Sequence, residues 1–216
     1  MLLIRDIKFY TEGDEIFSEG MIKYIRKEFK IARNGLSLEQ LEPILDHIVL
    51  FIEEEKIQLK DGERLSCFTW VIKVMEEGDY FEILEPYPEE NGFALGLSRN
   101  YHFFNQQKTV CEYLKVDPEF PLIDQLVTID PVIKLGVPVH LFRWKKEDPD
   151  SGWYAVTNNV SENDLPLLEH IPLGEFMLLR PECVQFLALP AGFKVIWEGN
   201  DAKIGFDERL INGEVD

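Results

Sequence analysis

The chain has 216 residues, 45% of them hydrophobic, which is enough to bury a substantial core and argues against wholesale disorder. Lys and Arg number 22 against 40 Asp and Glu, a formal net charge of −18. A surface this acidic repels nucleic acid and anionic lipid and attracts basic protein, although the same excess also serves solubility.

The opening MLLIRDIKFY carries an early charge and no small-residue cleavage site, which predicts no secretory leader. No apolar run reaches the length of a membrane span, so a soluble cytoplasmic protein is expected. A strand is predicted over 2–10. A helix capped by Ser18 follows through Lys30, with Ile22, Ile25 and Phe29 on its apolar side. Ser37 and Gln40 form a capping-box pattern for a helix reaching Glu55, with Leu41, Ile44, Leu45, Ile48 and Phe51 as its stripe. Pro43 sits awkwardly there and predicts that the regular helix begins nearer Glu42.

Residues 65–75 alternate as one half-buried strand. Gly78-Asp79 then turns the chain into a returning strand over 80–84. A second turn spans 86–92, a short strand 93–97 and a helix 106–114. Asp117 to Pro121 is the predicted linker, since its two prolines disfavour helix and central strand alike. Beyond it come a strand over 125–129 and a turn capped by Asp130 and ended by Gly136. Strands over 137–144 and 153–157 follow, then helices beginning at Pro172 and Pro181, and a strand over 193–197. The class expected is α+β, with antiparallel sheets and hairpins packed against a few helices in two units of similar layering. The divisions expected are 1–120, 121–200 and an acidic tail over 201–216.

Few residues invite chemistry. Asp148 and Asp150 have the spacing that opens a calcium loop, but the next ligand positions fall on Gly152 and Asn159. Proline, aspartate and glycine in KKEDPDSGWY describe a hairpin turn equally well. Cys67, Cys111 and Cys183 are far apart and show no metal or disulfide spacing. No HExxH, nucleophile elbow or phosphate loop occurs. No catalytic residue, metal or cofactor is expected. A hydrolase-type enzyme would need His47, His102 or His140 to converge with acids in one pocket. A two-part regulatory module is a further alternative.

The C-terminal part carries motifs in a recognisable order. Gly136-Val137-Pro138-Val139 leads to Asp150-Ser151-Gly152-Trp153, then to Ile171-Pro172-Leu173 and its helix. Arg180-Pro181 starts the next turn, and Leu189-Pro190-Ala191-Gly192 enters the last strand. This order, over roughly 126–198, resembles the predicted immunity proteins of bacterial polymorphic toxin systems, family thirty-three. The resemblance implies an α+β domain that binds and neutralises a toxin without catalysis. Gly136, Pro138, Ser151, Gly152, Leu189, Pro190 and Gly192 are then its structural markers. Asp148, Asp150, Trp153, Glu162 and Asp164 are the partner-binding candidates, with Trp153 equally fit to be a core anchor. The partner expected is a basic protein toxin, with no nucleic acid or membrane involved.

Overall fold

A computed structural model describes residues 1–87, 92–157, 168–198 and 201–213. The chain packs as two compact units, Met1–Phe104 and Asn105–Asp216. Each is a mixed sheet with helices, so the class is α+β with two sheet units.

In the first unit, strands β1 (Leu2–Ile4), β2 (Ile7–Glu12), β3 (Glu15–Glu19) and β4 (Glu28–Ala32) run as successive antiparallel neighbours. β5 (Arg64–Cys67), β6 (Trp70–Glu77), β7 (Tyr80–Tyr87) and β8 (Gly92–Leu95) complete the sheet. Its order is β1-β2-β3-β4-β7-β6-β5, with β8 added to β7. β4 and β7 are parallel neighbours, a departure from the all-antiparallel expectation. Period-two burial drives the layering: Ile7 and Phe9, Ile16, Phe29 and Ile31, Ile72 and Val74, and Phe81 and Ile83 are all buried. Helix α2 (Leu38–Glu55) adds Leu41, Ile44, Leu45, Ile48 and Ile52 to the same core.

The capping box on α2 is complete. Ser37 Oγ accepts from the Gln40 N–H, and Gln40 Oε1 accepts from the Ser37 N–H. That cap starts the helix at Leu38, before Pro43, rather than near Glu42 as expected. Proline this close to the start removes one backbone bond, and the cap and the buried stripe outweigh the loss.

The helix predicted over 18–30 is instead β3, one short turn α1 (Ile22–Ile25) and β4. Ser18 does not cap a helix: its hydroxyl donates to Glu28 Oε2 at 2.5 Å and accepts from the Phe29 N–H at 2.7 Å. The Glu28 carboxylate also accepts the N–H groups of Gly20, Met21 and Ile22. These bonds tie the segment into a loop between two strands. The single strand predicted over 65–75 is a hairpin, because Phe68 adopts φ +53 and breaks the run between β5 and β6. The helix predicted over 106–114 begins earlier, as α3 (Ser98–Leu114). Fully buried Glu85 on β7 explains the start, accepting from Ser98 Oγ and from the N–H groups of Arg99 and Asn100.

The second unit has strands β9 (Leu126–Ile129), β10 (His140–Arg143), β11 (Asp150–Val156), β12 (Glu169–Pro172), β13 (Phe193–Glu198) and β14 (Asp201–Phe206). Their order is β12-β9-β11-β10-β13-β14, with β9 and β11 parallel. Helix α4 (Leu173–Leu179) and a 3-10 turn over Pro181–Phe186 bury Phe176, Met177, Val184 and Phe186. Asp130 caps the 3-10 turn Pro131–Leu135 by accepting from the Val132 N–H, and Gly136 ends it at φ +76. Within the expected acidic tail over 201–216, β14 pairs with β13 and α5 (Arg209–Asn212) follows. Of the predicted linker, Glu119 is fixed within this unit, its N–H donating to the Ala188 carbonyl. The division into compact units falls earlier, inside α3.

Among the described residues no helix is long and apolar enough to cross a membrane.

Candidate functional site

The quoted hairpin KKEDPDSGWY joins β10 to β11, with Arg143 opposite Trp153 and Leu141 opposite Ala155. Its residues are fixed by their own bonds. The Trp144 N–H donates to the Gly152 carbonyl at 2.8 Å. Gly152 adopts φ +78, and a Cβ there would lie 2.1 Å from the Trp144 carbonyl oxygen, so only glycine fits. Asp150 Oδ1 accepts from the Gly152 N–H at 2.8 Å. Ser151 Oγ donates to the Leu126 carbonyl at 2.6 Å and fastens the hairpin to β9. Asp148 is exposed and accepts from the Gln125 side-chain amide at 3.2 Å. Both aspartates of the calcium spacing are thus engaged in local bonds. Among the described residues no cluster of three or more His, Cys, Asp or Glu could hold a metal.

Trp153 has no exposed surface, and its indole N–H donates to the Leu187 carbonyl at 2.9 Å. It is the core anchor of the two roles open to it. Glu162 and Asp164 lie outside the described residues.

The two glycine motifs meet at Arg143, a residue that the motif pattern did not single out. Arg143 lies over the Trp153 ring at 5.5 Å. Its Nη1 donates to the carbonyls of Glu119 at 2.8 Å, Leu187 at 3.2 Å, and Leu189. Its own carbonyl accepts from the Gly192 N–H at 2.8 Å. Gly192 holds φ +96 against the Phe206 ring, leaving no room for a Cβ. Leu189-Pro190-Ala191-Gly192 is therefore a corner wrapped around one buried guanidinium. Burial lowers the Arg143 pKa to about 10, with the Glu119 carboxylate opposing that shift. The available signal was an arginine directly across the strand pair from the tryptophan of D-S-G-W.

Beside this corner lies an open cleft of about 410 Å³. Arg143, Lys145 and Lys146 supply cations to its lining and Glu119 a carboxylate. Trp144, Ala191 and Ile211 form apolar wall, next to Ser151.

The histidines are engaged separately. His47 stacks on Phe68 at 4.3 Å, His140 Nδ1 accepts from the Trp197 N–H, and His170 Nδ1 meets Thr128 Oγ1. All three cysteines are buried free thiols. Burial pushes Cys111 up to about 11 and Cys183 up to about 12, which suits inert core residues rather than nucleophiles.

Residues 106–207 match the family model of the Imm33-like domain, and the C-terminal part of the chain carries such a domain. No curated protein and no solved structure matches the chain.

Proposed function

We propose that this protein is a non-enzymatic immunity protein that binds and neutralises a cognate bacterial toxin in the cytoplasm. The Imm33-like domain over 106–207 is the observation that carries this reading. The net charge of −18 supports a basic toxin, because opposite charge steers encounter and suits occlusion of a nucleic-acid-binding groove. Exposed Asp148, with Glu162 and Asp164 beyond the hairpin, belongs to the proposed contact surface. Asp150 shapes that surface through its turn bond.

The test is co-expression with toxins of the same organism, beginning with any encoded beside this gene. Protection of growth, with a complex that weakens but survives as salt rises from 50 to about 150 mM, supports the reading. Equal killing with and without the protein, for every such toxin, refutes it.

A further inference from the structure

The cleft beside Arg143 is unusual on so acidic a molecule. Three of its lining side chains are cationic and one is anionic. Lys145 and Lys146 are exposed, and neither ammonium has a carboxylate partner among the described residues, although Glu147 and Asp148 follow them directly.

Arg143 lines the cleft and cannot turn away, because three carbonyls hold Nη1. Its side chain is only 9% exposed, and its nearest carboxylate, on Glu119, stands 3.9 Å from Nη2, beyond hydrogen-bond reach. The buried positive charge is met by peptide dipoles at Nη1 and, at Nη2, by one long ion pair to the exposed Glu119 carboxylate. A buried cation in that condition is stabilised by any anion that reaches it. Trp144, Ala191 and Ile211 supply the apolar wall that a short aliphatic stem would cover.

We propose that this cleft receives the carboxylate of a glutamate or aspartate side chain from a partner protein. Lys145 and Lys146 close over the carboxylate at the rim, and the Arg143 guanidinium faces it from the lining. On a molecule of net charge −18 such a seat discriminates: the general field attracts basic proteins, and the cleft selects those bearing an acidic side chain at the matching place. This goes beyond the immunity reading and does not require it.

The test uses the full chain, labelled with nitrogen-15, and the blocked tripeptide acetyl-Gly-Glu-Gly-amide. Saturable shifts at the Trp144 indole and at the amides of 143–146 are expected at millimolar peptide, with none from the Gln counterpart. The double variant Lys145→Gln/Lys146→Gln should weaken binding about tenfold while its thermal melt is unchanged. Equal shifts from the Glu and Gln peptides, or unaltered affinity in the double variant, overturn the proposal. So does saturable binding of inorganic phosphate at these resonances when the Glu peptide is inert.

Discussion

At the scale of single residues, Gly152 and Arg143 hold the second unit's corner. Gly152→Ala places a methyl against the Trp144 carbonyl in a left-handed conformation. A loss of about 3 kcal/mol is expected in urea unfolding, and a loss under 1 kcal/mol would mean that the turn simply relaxes. Arg143→Ala removes the Nη1 donor from the Glu119 and Leu189 carbonyls, leaves Leu187 with the Trp153 indole alone, and opens a cavity beside Trp153. It should destabilise the protein by roughly 3–5 kcal/mol, and Arg143→Lys should recover only part of that because an ammonium cannot bond the carbonyls and also cover the Trp153 ring as the planar guanidinium does. D-S-G-W was legible as a hairpin because proline, aspartate and glycine each have local turn chemistry. Arg143 was not, because its role depends on three carbonyls from distant segments, and no spacing rule reports those.

At the scale of elements, local signals succeeded where the bonds themselves are local. The capping box was readable because Ser37 and Gln40 satisfy each other within one turn. Ser37→Ala should cost about 1 kcal/mol, and a double-mutant cycle with Gln40→Ala should show coupling, since each change removes half of the box. Purely additive losses would show that the reciprocal bonds contribute nothing jointly. The reading of 18–30 failed for the complementary reason. Ile22, Ile25 and Phe29 repeat at helical spacing, but Glu28 gathers Ser18 Oγ and three backbone N–H groups and bends the chain before a second turn can form. Phe68 misled in the same way: its place in an alternating run looks like strand interior, and its positive φ makes it the hairpin corner. The early start of α3 was hidden because its cap, Glu85, comes from a neighbouring strand rather than from the preceding residues.

At the scale of the whole molecule, the acidic excess is shared. Lys and Arg number 12 against 21 Asp and Glu in residues 1–104, and 10 against 19 in residues 105–216. The charge is therefore not confined to the Imm33-like part, and self-repulsion acts throughout. Raising salt from 10 to about 200 mM should raise the melting temperature by roughly 2–4 °C. A fall would show that the surface ion pairs outweigh the repulsion. Acid should act partly through His47, whose pKa burial lowers from its ordinary 6.5, against a smaller opposing effect of Asp46. The unfolded chain then takes up that proton first as pH falls through 6.5. The stability that neutral His47 contributes is full above this value and is lost as pH drops through the lower folded value. His47→Gln should flatten the dependence between about pH 7 and 5 in urea melts, and an unchanged slope would place the effect elsewhere.

The parallel pairing of β4 with β7 also sets a schedule for synthesis. Lys30 meets Glu82 across that pair, 52 residues later in the chain. On a ribosome adding roughly 5–20 residues per second, the first four strands wait some 3–10 s for their central neighbour to be made. During that interval β4 presents a bare edge, and only its own hairpin partner protects it. The nascent chain's exposure to wrong strand partners is thus governed by elongation rate, and slowing translation between residues 32 and 80 would lengthen it.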